Sequence, residues 1–273
     1  MNKRGNKKGT RVLSSEIYID ICPKSKRSQV TLFIIVAIVI VALGVLIYLL
    51  YPKIKVSTEF DVKNPNAFIQ TCLEDEIKNA VNTLSLQGGS MNPEHYYLYQ
   101  DNKIEYLCYT NEDYVPCVVQ QPMLVQHIES ELQKEIAGKA EACFQDLKSS
   151  YENRGYSVNL KKGDMVIELL PERIVATFNN ELTLTKGETE NYKSFSVILH
   201  NNLYELVSIA DSIIGWEATY GDSETTAYMN YYHNLKVEKL NQLDGSTIYI
   251  LTNRDNGNQF QFASRSVAWA PGI

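Results

Sequence analysis

Residues Val30–Leu50, VTLFIIVAIVIVALGVLIYLL, are 21 consecutive positions with no charge and no proline. As a helix rising ~1.5 Å per residue, the run covers roughly 30 Å, the hydrocarbon thickness of a bilayer. It is apolar all the way round, which excludes an amphipathic surface helix. A cleaved secretory leader has a shorter apolar region, about 7–15 residues, closed by a small-residue site. This run passes instead into Tyr51-Pro52-Lys53-Ile54-Lys55. The expectation is one transmembrane helix over residues 29–51, with the lipid bilayer as its partner through Val30–Leu50.

Charge sets the orientation. Residues 1–28 carry eight lysines and arginines against Glu16 and Asp20, a balance of +6, whereas the whole chain stands at −6. Basic flanks stay on the cytoplasmic side. Residues 1–28 therefore read as a cytoplasmic tail, 52–64 as a linker and 65–273 as an extracytoplasmic domain. Lys53 and Lys55 weaken the contrast without reversing it. The acidity of the exterior part argues against nucleic acid, which needs a basic face. The 18 tyrosines, against 8 phenylalanines, read as half-buried strand positions that keep their hydroxyls wet.

Of five cysteines, Cys22 lies in the tail and Cys72, Cys108, Cys117 and Cys143 lie in the exterior part. An even number in an oxidising space points to two disulfides. Asn64-Pro65 opens a helix in which Ile69, Cys72, Leu73, Ile77, Ala80, Val81 and Leu84 share a face, and Gly88-Gly89 ends it. A second helix, beginning at Gln121-Pro122, carries Leu124, Ile128, Leu132, Ile136 and Ala140 in an i+4 row with Cys143 on the same face. Two such faces pack together and pair Cys72 with Cys143. Cys108 and Cys117 bracket a short loop and pair with each other. Neither cysteines nor histidines have zinc-site spacing.

Tyr96–Tyr99 and Ile104–Tyr109 flank Asp101-Asn102 as a hairpin. From Tyr156 to Leu199 the hydrophobic period is two. Ser157–Leu160, Met165–Leu170, Ile174–Phe178, Leu182–Thr185 and Phe195–Leu199 read as one antiparallel meander. A helix follows with Leu203, Leu206, Val207, Ile209, Ala210, Ile213 and Ile214 buried, then a shorter one reaching His233. Strands Lys236–Leu240, Thr247–Leu251 and Gln259–Ala263 complete the chain. The fold class is α+β: amphipathic helices packed on antiparallel sheet and braced by disulfides.

No catalytic motif is present. His95, His127, His200 and His233 are scattered, and none lies in a metalloprotease or serine-hydrolase signature. Asn253–Gly257 lacks the alternating carboxylates of a calcium loop. Glu74, Asp75 and Glu76 on the first exterior helix, and Glu129, Glu131 and Glu135 on the second, read as solvated faces. His127 and Glu131 read as an i,i+4 helix pair. No cofactor, metal or enzymatic activity is expected.

The segment Lys24-Ser25-Lys26-Arg27-Ser28-Gln29, leading into the apolar run, resembles the class III signal peptides of archaeal type IV pilin-like proteins. That resemblance implies peptidase cleavage between Ser28 and Gln29 and assembly into a filament. Ser28 stands where glycine or alanine is usual, and Phe33 where many pilins place glutamate. Pro52 also breaks a helix that runs on unbroken in pilins. The exterior part, with one cysteine in a helix ending at Gln87-Gly88-Gly89 and a second helix ending in a cysteine, resembles an uncharacterised group of archaeal membrane-anchored proteins. This implies a location and no activity. The expected role is structural, assembly or binding at the cell surface, with other surface proteins or a second copy as partners. A pilin-like subunit and an extracytoplasmic hydrolase are the alternatives.

Overall fold

The structure, a computed structural model, describes the backbone of residues 27–50 and 64–266 and the side chains of 33–43, 45 and 64–266. Most of the expected tail and the linker lie outside the described residues. Helix α1 spans Arg27–Leu50, and each of its described side chains is exposed. Among the described residues, no helix is long and apolar enough to cross a membrane.

The remainder forms a separate unit. Helix α2 (Pro65–Leu86) starts as its sequence dictates. The Asn64 side-chain oxygen accepts from the backbone N–H of Asn66 (3.1 Å) and Ala67 (3.2 Å), and Pro65 fills a position that needs no donor. At its far end Gly88 takes φ +81°, and the Gly89 N–H returns to the Leu84 carbonyl. Helix α3 (Leu124–Glu152) begins after the Gln121-Pro122 expected to open it. It also does not end at Cys143: Phe144, Leu147 and Tyr151 prolong its buried stripe to the last turn.

Strands β1 (Tyr96–Tyr99) and β2 (Asn102–Tyr109) form the expected hairpin, but the turn is Gln100-Asp101, one position early. Both turn residues have positive φ (47° and 64°), the type I′ geometry that matches strand twist. A two-residue strand, β3 (Val118–Val119), adds to β2 after the disulfide loop.

The meander expected over 156–199 is instead two sheets. Strands β4 (Ser157–Lys161), β5 (Met165–Leu170), β6 (Arg173–Phe178), β7 (Glu181–Lys186), β8 (Glu188–Tyr192) and β9 (Phe195–His200) sort into β4-β7-β8 and β5-β6-β9. The reason lies where the chain passes twice between the sheets. The β4–β5 and β6–β7 connections run against each other. Asn179 N–H donates to the Asp164 carbonyl (2.9 Å), and Gly163 N–H to the Asn180 side chain (2.8 Å). A methyl on Gly163 would stand 1.9 Å from the Asn179 carbonyl oxygen, so only glycine admits this crossing. Strand β8 leaves no mark in the hydrophobic pattern because its five residues, Glu188–Tyr192, alternate without an apolar face.

Helix α4 (Leu203–Tyr220) and the short α5 (Thr226–Tyr231) precede β10 (Leu235–Asn241), β11 (Ser246–Asn253) and β12 (Gln259–Arg265). These last strands join β1 and β2 in the order β1-β2-β12-β11-β10. All pairs in it are antiparallel except β12 with β2, which is parallel. Helices α2 and α4 each touch both the large sheet and β5-β6-β9, so the main core lies between sheets on a helical layer. The Phe144 ring of α3 meets Phe178 and Phe195 edge-on at 5.6 and 5.1 Å. Each fully buried Leu, Ile or Phe here contributes roughly 1.5–3 kcal/mol.

Candidate functional site

The sequence-derived cysteine pairs are both at bonding distance. Cys72 of α2 and Cys143 of α3 have sulfurs 1.94 Å apart, and Cys108 of β2 and Cys117 have sulfurs 1.97 Å apart. Cys108, Cys117 and Cys143 are buried. The first pair staples two helices across 71 residues of chain and the second closes a tight loop. Ser28 and Gln29 fall in the first turn of α1, where side chains lie outside the described residues.

Where α2 ends, the glycine turn brings Ser90 against β2 and α3. Ser90 Oγ lies 2.5 Å from Glu105 Oε2 and 2.8 Å from His127 Nε2. Met91 N–H donates to Glu131 (3.2 Å), which also takes Lys134 (2.9 Å). Burial raises the Glu105 pKa above 4.5, against the opposing hydrogen bond from Ser90. For Glu131 burial also raises the pKa, but hydrogen bonds from Lys134 and the Met91 amide outweigh it, and the net shift is downward. Ser90 is 6% exposed, and its single proton serves one of two neighbours while it accepts from the other. This geometry ties the turn to strand and helix. The four side chains also line a cavity of about 340 Å³ together with Asn92, His95, Gln120 and Gln121 among others. His127 and Glu131 are thus more than a helical pair, since both reach the turn after α2. Nor is Glu129 merely solvated: it accepts the Leu169 amide at 2.9 Å.

A second carboxyl is buried more deeply. Glu217 of α4, 2% exposed, accepts from Tyr249 and from Ser264 (3.1 Å) on the large sheet. Burial raises its pKa, and the Tyr249 and Ser264 hydroxyls and the Lys239 charge oppose the rise. This network ties α4 to β11 and β12.

The opposite face of α4 is open. Tyr204, Ser208, Ser212, Trp216 and Tyr220 recur every four residues, the spacing that puts them in one row. Two cavities of about 460 and 480 Å³ adjoin along this row and share Ser212, Tyr228 and Tyr232. The first is lined by Asn202, Glu205, Asn234 and Asn253 over an apolar floor that includes Leu206 and Leu235. The second is lined by Trp216, Tyr231 and Glu224 in addition to the shared residues. Trp216 leans on Tyr220 with ring centres 4.9 Å apart, and Tyr231 meets Tyr232 edge-on at 4.7 Å, interplanar angle 80°. The Tyr228 hydroxyl pairs with Ser212 at 2.7 Å. Glu205 Oε1 accepts the Glu172 amide (2.8 Å), while its Oε2 is shielded from solvent and meets no donor among the described residues.

No protein-family model, curated protein or solved structure matches the chain. Among the described residues, no group of three or more His, Cys, Asp or Glu is placed to hold a metal ion. The sequence reading missed this cleft by treating tyrosines as half-buried strand residues. Trp216, Tyr220, Tyr231 and Tyr232 are instead helix or helix-end residues, and all are exposed. The signal that would have found them is the aromatic i+4 row opposite the buried stripe of α4, followed by Tyr228 and Tyr231-Tyr232.

Proposed function

We propose that the chain is a single-pass membrane protein, anchored through Val30–Leu50, whose head works on the extracytoplasmic side in a structural, assembly or binding role. The observation that carries this reading is the pair of disulfide-distance cysteines within the head, since such bonds persist in oxidising compartments. The uncovered apolar surface of α1 supports it, because side chains such as Phe33, Ile38 and Val41 need apolar surroundings that the helix does not itself supply. The lack of a catalytic motif in the sequence favours binding over turnover. A non-reducing peptide map tests the reading, with thiols blocked as the cells are opened. Linked Cys72–Cys143 and Cys108–Cys117 peptides with Cys22 free are expected, and five blocked thiols would contradict it.

A second reading has a motif in its favour. Lys24–Gln29 before the apolar run supports processing before Gln29 and assembly of a pilin-like filament. N-terminal sequencing of the mature chain separates the two. An N-terminus at Gln29 would favour the filament subunit, and an intact basic tail the tethered head.

A further inference from the structure

We propose that the aromatic end of the cleft along α4 and α5 binds a small dissolved organic cation, a substituted ammonium compound. The aromatic end supplies the walls: Trp216, Tyr228, Tyr231 and Tyr232 line one cavity, with Tyr231 and Tyr232 close to perpendicular. Ring faces attract a desolvated ammonium, and tryptophan does so best. Charge points the same way. Glu224 lines the aromatic cavity, Glu205 and Glu172 line the adjoining one, and among the described residues no lysine or arginine lines either. An anionic ligand would meet carboxylates and no cationic side chain there.

Lys239, whose charge acts on Glu224, is engaged elsewhere: it pairs with Asp222, donates to the Ser223 carbonyl and sits over Tyr249. Among the described residues, the tyrosines that carry a lysine over the ring are Tyr96, Tyr156 and Tyr249, none of which lines the cleft. The aromatic cavity takes the ammonium head, whereas Glu205 stands ~16 Å along α4 from Trp216, outside the reach of a small cation held there. The site does not depend on which side of a membrane the head occupies, so it stands or falls separately from the anchoring.

The test is calorimetric titration of the full chain, held in an uncharged polyoxyethylene detergent, with choline and with 3,3-dimethylbutan-1-ol, its uncharged carbon isostere. Choline is expected to bind at least tenfold more tightly than the isostere. Trp216→Ala and Tyr231→Ala, both at exposed positions, are expected to weaken choline at least tenfold, while Trp216→Phe retains most of the affinity. Glu205→Gln, remote from the aromatic cavity, is expected to leave choline affinity unchanged, and tetramethylammonium is expected to bind much as choline does. Equal affinity for choline and its isostere would overturn the proposal, as would binding of neither. So would saturable binding of maltose or N-acetylglucosamine that Trp216→Ala abolishes. Adsorption to phosphatidylcholine vesicles, with no response to free choline, would overturn the assignment to a dissolved ligand.

Discussion

The two ends of the helical layer differ in what they leave exposed, although Glu217 on the buried face of α4 is hydrogen-bonded as fully as the Ser90 cluster. Around α2 and α3, Ser90, Glu105, His127 and Glu131 are hydrogen-bonded to one another or to backbone, and Cys72–Cys143 staples the helices that carry them. Around α4 and α5 the described residues hold no disulfide, the rings of Trp216, Tyr231 and Tyr232 are exposed, and one buried oxygen of Glu205 has no donor. A saturated cluster contributes stability and fixes a turn. Exposed rings around an open cavity contribute little stability and are free to take a ligand. Polarity or titratable chemistry alone is therefore a poor guide to a ligand site, because the richer collection of side chains already satisfies itself.

The contrast can be broken by mutation. The largest effect is expected from Cys72→Ser with Cys143→Ser. Opening a loop of 71 residues removes about 4 kcal/mol in the chain-entropy model, against about 2.5 kcal/mol for the Cys108–Cys117 pair. Denaturant unfolding midpoints measure both. Gly163→Ala comes next. The Asn179 backbone must move to admit the methyl, so a loss of roughly 1–3 kcal/mol is expected in the same experiment. Ser90→Ala is expected to cost about 1–3 kcal/mol, because Glu105 and His127 lose their shared partner within a buried cluster. Cation affinity should not change with it. Trp216→Ala inverts that pattern: its stability change should stay within about 0.5 kcal/mol, as for other exposed positions. A large loss there with none at Ser90 would reverse the roles assigned to the two ends.

The pH dependence sharpens the same comparison. Glu105 and Glu217 both have pKa values raised above 4.5 by burial. The folded state therefore holds their protons more tightly than the unfolded chain. Their contribution is fully present below pH 4.5 and is lost as pH rises through the folded values. Glu131 is shifted the other way, so its contribution is present above pH 4.5 and is lost as pH falls further. Stability should decline from mildly acidic toward neutral pH, and Glu217→Gln should flatten that decline. Thermal unfolding across pH 4–8 measures the slope; an unchanged slope in Glu217→Gln would remove the buried carboxyl from the account.

Much of this was legible in the sequence, and what was not shares a cause. The helices declared themselves because burial of one face imposes a 3.6-residue period on Ile69–Leu84, Leu124–Ala140 and Leu203–Ile214. The cysteine pairs followed because both helical cysteines lie on those faces. The division of β4–β9 into two sheets did not, because turn residues encode only neighbouring pairings. The contact that decides it joins Gly163 to Asn179, and its signature is the absence of a side chain. The parallel pairing of β2 with β12 joins Tyr106 to Ala263 and leaves no local mark. The cleft was missed for a related reason. Residues on α4, α5 and the β10–β11 edge form it together, and periodicity reports which face is buried, not what the exposed face is for.

The central claim is that one apolar helix separates a basic cytosolic leader from an acidic exported head. Intact cells treated with a membrane-impermeant amine reagent test it directly, with labelled lysines located by mass spectrometry. Lysines of the head, such as Lys134, Lys161 and Lys236, are exposed and are expected to react, while those of residues 1–28 are protected until the membrane is permeabilised. Labelling of the leader with protection of the head would contradict the account.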